Sequence, residues 1–75
     1  MRIKVYGAGW CSDCIKVIFF LESRPVELDY IIVKNEKTIA FIDRVNNGKR
    51  VIPTLEINGK IYSKPGINEL TKMIT

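Results

Sequence analysis

From Arg2 to Tyr6 the chain alternates polar and apolar residues, with Ile3 and Val5 on one side, which predicts a β-strand. Cys11 to about Ser23 predicts a helix. Its run Val17-Ile18-Phe19-Phe20-Leu21 would also suit a buried strand, but with the preceding turn the segment is longer than strands usually are. Pro25 closes it, because the residue before a proline disfavours helical dihedrals. Leu28 to Val33 is β-branched and aromatic and predicts a second strand. Asn35 is a candidate N-cap with Glu36 in the first turn behind it, and Ile39, Ile42 and Val45 recur at helical spacing with Phe41 beside them. Asn47-Gly48 ends that helix. Thr54-Leu55-Glu56-Ile57 and Lys60-Ile61-Tyr62 flank Asn58-Gly59, the dipeptide of a type I′ hairpin. Ser63 and Pro65 are expected to open a last helix with Ile67, Leu70, Thr71 and Ile74 on its inner face. The order is β-α-β-α-β-β-α: a right-handed crossover makes the first strand pair parallel, and the tight turn makes the last pair antiparallel. With 75 residues and no repeat or linker, residues 1–75 form one α/β domain around a four-stranded mixed sheet.

Composition removes several classes of function. No apolar stretch approaches the ~20 residues of a membrane span, and Met1-Arg2-Ile3-Lys4 leads into a charged strand rather than a signal-peptide core. A cytoplasmic location without membrane attachment is expected. In that compartment paired cysteines are more often catalytic or metal-binding than structural. The net charge is +4, yet the only adjacent cations are Lys49 and Arg50. Charge spread this way describes a solvated, mildly basic surface, not a nucleic-acid site. Lys49 and Arg50 retain at most a local attraction for an anionic partner.

The chemistry is concentrated in Ala8-Gly9-Trp10-Cys11-Ser12-Asp13-Cys14, between the first strand and the first helix. Cys11 falls where the helix begins, so free backbone N–H groups and the positive end of the helix dipole face its sulfur. A thiol there loses its proton more easily, and the thiolate is the nucleophile. Cys14 lies one helical turn on, close enough to close a bridge. So short a loop constrains the unfolded chain little, which makes stabilisation a poor reason for the bridge. Asp13 opposes the dipole, and Lys16 is either a partial compensation or simply an exposed helix residue. A closed zinc site needs about four ligands. The chain has no His and no further Cys, so a metal or cluster site would have to be built between two chains. A C-x-x-C pair at a strand-to-helix junction reads first as a redox motif.

Together these features resemble the glutaredoxins of the thioredoxin superfamily. The resemblance rests on Trp10-Cys11-Ser12-Asp13-Cys14, on Val51-Ile52-Pro53-Thr54 before the third strand, and on the Asn58-Gly59 hairpin followed by a polar loop and a helix. The stretch from Val45 to Thr54, with Ser63-Lys64-Pro65, looks like the mycoredoxin branch, which works with mycothiol. The resemblance implies a thioredoxin-like fold, Cys11 as nucleophile and Cys14 as resolving thiol or a buried small residue. It implies a substrate surface from Trp10, Ser12, Asp13, Arg50, Val51, Ile52 and Pro53, with a cis bond before Pro53. Trp10 is either a core residue or a cover at the rim of the sulfur. No bound cofactor or metal is implied beyond a redox-active Cys11–Cys14 disulfide and a low-molecular-weight thiol as co-substrate. The implied partners of this monomer are disulfide-containing protein clients and, as reductant, such a thiol or a flavoenzyme like thioredoxin reductase.

Departures from the family pattern leave the thiol open. Most glutathione-using members carry Lys or Arg where this chain has Ala8, and a Gly-Gly pair followed by a polar residue and Asp where it has Ser63-Lys64-Pro65-Gly66. The inner dipeptide is Ser-Asp instead of Pro-Tyr. Two alternatives stand beside the reductase reading: a dimeric module holding an iron–sulfur cluster or soft metal, and a dedicated electron donor to one enzyme such as a ribonucleotide reductase.

Overall fold

The computed structural model describes residues 1–74. Along the chain come β1 (Arg2–Gly7), α1 (Ser12–Glu22), β2 (Glu27–Ile32), α2 (Glu36–Val45), β3 (Thr54–Ile57), β4 (Lys60–Ser63) and α3 (Ile67–Ile74). The strands lie in the order β2-β1-β3-β4. β2 is parallel to β1, while β3 is antiparallel to both β1 and β4. The result is the mixed α/β sheet of a thioredoxin-like fold.

The pleat of β1 explains the layering, because successive side chains of a strand point to opposite faces. Ile3 and Val5 are fully buried and meet Val17 and Leu21 of α1, Leu55 and Ile57 of β3, and Leu70 of α3. Burying each such side chain is worth about 1.5–3 kcal/mol. The intervening residues face the other way. Tyr6 packs on Phe41 of α2 with ring centroids 4.8 Å apart, and Lys4 meets Glu56 across the strands at 3.7 Å. So α1 and α3 cover one face of the sheet and α2 the other.

Local signals account for most boundaries. Asn35 caps α2 by accepting the Thr38 N–H at 2.9 Å, and the Thr38 hydroxyl oxygen accepts the Asn35 N–H in return. The β3–β4 turn places Asn58 and Gly59 at φ 53° and 80°, the pair of left-handed conformations a type I′ turn needs. The last helix departs from expectation. Lys64 adopts φ 46° and donates its N–H to the Pro53 carbonyl at 2.8 Å, so this segment folds back on the loop before β3. α3 therefore begins at Ile67, with Pro65 ahead of it. Ile67 is 39% exposed, and the inner face is made by Leu70 with Met73 and Ile74.

Candidate active site

α1 starts on a cysteine. Cys11 is its N-cap, in an extended conformation, and its Sγ accepts the backbone N–H of Cys14 at 3.2 Å. Side-chain oxygens usually fill that role. The Ile15 N–H closes the first helical bond on the Cys11 carbonyl at 3.1 Å, and the Cys11 N–H is held by the Ala8 carbonyl at 3.2 Å. The Cys11 sulfur is thereby fixed against the amide end of the helix. Both cysteines are free thiols; Cys11 keeps 9% of its surface open and Cys14 keeps none. Both residues are buried, and of the two only Cys11 retains any accessible surface.

Cys14 is buried because β1 ends in glycine. A Cβ at Gly7 would lie 2.6 Å from Cys14 Sγ, 3.0 Å from Cys14 Cβ and 3.3 Å from Cε1 of Tyr30. Only a hydrogen in place of a side chain lets α1 approach the strand this closely. Tyr30 also donates its hydroxyl to the Ala8 carbonyl at 3.0 Å, tying β2 to the loop that carries Trp10 and Cys11.

The second wall is the loop from Val51 to Thr54. The Ile52–Pro53 bond is cis. Ile52 packs against Ala8, Cys11 and Cys14. No backbone–backbone hydrogen bond involves Ile52 among the described residues. A buried polar network braces the loop from behind. The Thr54 hydroxyl donates to the Val51 carbonyl at 2.7 Å and accepts from Asn46 Nδ2 at 3.2 Å; Asn46 also donates to the Ile42 carbonyl at 2.7 Å and accepts from the Ser63 hydroxyl. Buried polar groups need such partners, and these connect α2, β3 and β4 behind the proline.

Two cavities flank the cysteines. One, of about 180 Å³, is bounded by Asp13, Lys16, Pro53, Lys64 and Ile67 among others. Lys64 Nζ reaches Asp13 Oδ2 at 3.4 Å. The other, of about 260 Å³, is bounded by Ala8, Trp10, Val33, Ile39, Arg50 and Ile52. Trp10, 83% exposed, is a rim residue and not a core one. Ser12 is exposed at the first turn of α1. Arg50 is held by Asp43, its Nη2 donating at 3.1 Å and its Nε at 3.4 Å. Lys49 lies beyond this wall on the surface.

The glutaredoxin family model matches residues 3–62. The chain belongs to the glutaredoxin family. With that membership it is a thiol–disulfide oxidoreductase. Two Mycobacterium tuberculosis proteins, from different strains and provisionally named as glutaredoxins, are each 24% identical to it over 70 residues, covering 91% of this chain and 83% of their own. The fold is shared with the crystal structure of a glutaredoxin from Archaeoglobus fulgidus, at a TM-score of 0.79, 19% identity and coverage of 96% and 84%. It is shared as well with the thioredoxin-like protein BC3987, at a TM-score of 0.76, 24% identity and coverage of 95% and 97%.

In this glutaredoxin the inner thiol is held protonated. Burial pushes Cys14 up to about 11; the hydrogen bond with Cys11 and the negative charges of Cys11 and Asp13 add to that, and the Ala8 N–H opposes it. Burial also raises the Tyr30 phenol, followed by the charges of Cys14 and Cys11. The cation that reaches Asp13 is Lys64 from the far loop; Lys16, considered for that part from its spacing, lines the same cavity. Three contributors escaped the sequence reading: Gly7, Tyr30 and the Asn46–Thr54–Ser63 network. Two carried a signal. A glycine ending a strand just before the motif marks a close backbone approach, and a tyrosine in an aliphatic strand needs a partner for its hydroxyl. Among the described residues no cluster of three or more His, Cys, Asp or Glu is placed to hold a metal. No helix among them is long and apolar enough to cross a membrane.

Proposed function

We infer that this protein reduces protein disulfides, or mixed disulfides between proteins and small thiols, with Cys11 as the attacking sulfur. The observation that carries this is the pairing of an N-capping sulfur that receives an amide hydrogen bond with a second sulfur fully buried behind it. The Cys11 thiolate attacks one sulfur of the client disulfide. A Cys11–client disulfide forms, the client S–S bond breaks, and the first client thiolate leaves. Cys11 then no longer carries charge, so two of the influences that hold Cys14 protonated fall away and only burial and Asp13 remain. Cys14 gives up its proton to the departed first client thiolate, directly or through water, and attacks Cys11 Sγ; the Cys11–client S–S bond breaks, the client leaves as its second thiolate, and the pair ends as a disulfide. Two molecules of a low-molecular-weight thiol, which end as their own disulfide, or a thioredoxin-reductase-like flavoenzyme supply the two electrons that restore both thiols. On adducts of small thiols a second thiol molecule can release Cys11 directly, and Cys14 is then dispensable.

The backbone of Ile52, beside Cys11 and free of other main-chain pairing among the described residues, supports docking of an extended client segment in strand fashion. The Thr54 hydroxyl holds the Val51 carbonyl behind that edge, and Trp10, Ser12 and Asp13 stand beside Cys11 in the chain, exposed where a client would approach. The deciding experiment offers glutathione, mycothiol and thioredoxin reductase with NADPH separately as electron sources for a mixed-disulfide substrate. Turnover with at least one of them, lost in Cys11→Ser, supports the reading; turnover retained in Cys11→Ser refutes it. Loss of protein-disulfide reduction in Cys14→Ser, with small-thiol adducts still reduced, would establish both routes.

A further inference from the structure

The two cavities beside the cysteines differ in character. The smaller has charge on its walls, with Lys16 and the Asp13–Lys64 pair. The larger is bounded by Ala8, Trp10, Val33, Ile39 and Ile52, and its single charged wall residue, Arg50, is already engaged by Asp43. Two of these residues, Ala8 and Ile52, also pack in the cluster that holds Cys11 and Cys14, so the apolar cavity is one residue removed from the reacting sulfur. Its volume of about 260 Å³ falls below the ~300 Å³ at which sites for drug-sized ligands begin. It suits one side chain. A small thiol carrying carboxylates would have to strip water from them against apolar walls with no uncompensated cation to receive them, which is costly.

We propose that this cavity is a specificity pocket for a large aliphatic or aromatic side chain next to the cysteine of a client polypeptide. A peptide lying along Ile52 with its sulfur at Cys11 carries a neighbouring residue into the space between Trp10 and Ile39. Trp10, exposed in the free protein, is the wall such a side chain covers. The inference rests on Cys11 being the attacking sulfur, and its test separates the two claims.

Short peptides are prepared as mixed disulfides with thionitrobenzoate, bearing leucine before the cysteine, leucine after it, or glycine on both sides; a glutathione–thionitrobenzoate disulfide is the comparison. In Cys14→Ser the Cys11 thiolate attacks the peptide sulfur. The Cys11–peptide bond forms, the peptide–aryl S–S bond breaks, and thionitrobenzoate departs with the electron pair and is read by its absorbance. The aryl thiol leaves because its pKa is the lower. The first turnover of the unmutated protein is measured in parallel. One leucine peptide is expected to react about tenfold faster than the glycine peptide, the effect of seating an apolar group in such a pocket. That advantage is expected to fall below twofold in both Ile39→Ser and Val33→Ser. Equal rates for all peptides, an advantage surviving both substitutions, or a preference for glutathione would overturn the pocket and leave the nucleophile standing. Release of thionitrobenzoate from no peptide, or at an undiminished rate in Cys11→Ser, would overturn both.

Discussion

Replacing Gly7 with alanine tests how closely α1 is pressed against β1. Two effects oppose each other. In a strand, alanine is favoured over glycine by about 0.5–1 kcal/mol, because glycine loses more backbone freedom on folding. Gly7 needs no left-handed conformation that would cancel this gain. Against it, the new methyl would sit 2.6 Å from Cys14 Sγ and 3.0 Å from Cys14 Cβ, about 1 Å inside the ~3.5–4.0 Å at which nonbonded heavy atoms rest. Cys14 is fully buried, so neither the sulfur nor the helix has open space to retreat into, and Tyr30 closes the remaining side at 3.3 Å. Overpacking of this kind costs about 1–3 kcal/mol; two such contacts in one buried site put the cost near the upper end. The net loss is expected to be about 2 kcal/mol. With a urea m-value near ~1 kcal/mol/M for a domain this small, the unfolding midpoint falls by about 2 M. Far-UV circular dichroism is the suitable probe, because Trp10 is exposed and its fluorescence reports little of folding. In the Cys14→Ala background the same replacement should cost at least ~1 kcal/mol less, since the worst contact has gone. A Gly7→Ala protein as stable as the parent, or more so, would refute the close approach.

Thr54→Val removes the donor to the Val51 carbonyl and the acceptor for Asn46 Nδ2; a loss of about 1–3 kcal/mol in urea titration is expected, since buried partners are left unsatisfied, and an unchanged midpoint would contradict the bracing of the proline loop. Alkaline pH should weaken the reduced protein. Cys14 is raised from 9.0 to about 11, so between those values the unfolded chain has released a proton that the folded chain keeps, and stability falls as pH rises, by roughly 2–3 kcal/mol in total. Cys14→Ser should lose the slope just above pH 9.0, where Cys14 alone contributes, and keep only the part above 10.0 that comes from the raised Tyr6 and Tyr30 phenols; a reduced parent protein equally stable across that range would contradict the burial of the inner thiol.

The elements readable in the sequence were those with a local cause. Asn58-Gly59 demands its turn wherever the strands lie, and Asn35 caps α2 through Thr38, three residues away. The Cys11 cap is equally local, since its partner is the Cys14 amide. What periodicity did not reveal depends on the packing of distant segments. The start of α3 shifted to Ile67 because Lys64 turns back to the Pro53 carbonyl, a bond between residues that only the assembled sheet brings together. Tyr30 reaches Ala8 because β1 and β2 pair in one particular register, with Val5 opposite Tyr30. The Asp13–Lys64 pair spans the site from α1 to the loop after β4, so spacing alone pointed to the nearer Lys16. Cys11, Cys14 and Pro53 stand out as candidates from the motif and the family resemblance, and the structure brings their segments together; the polar network behind Pro53 is held by residues of three separate elements.

Division of labour between the two sulfurs is the claim on which the rest depends, and brief alkylation probes it directly. The fully reduced native protein is treated with iodoacetamide near neutral pH, and each cysteine is followed by peptide mass mapping beside the loss of disulfide-reducing activity. Cys11, the cysteine with open surface, is expected to take up the label first and activity to fall in step, while Cys14, buried and with a pKa near about 11, becomes labelled only on unfolding. Labelling of Cys14 ahead of Cys11, or full activity after Cys11 has been capped, would contradict the account.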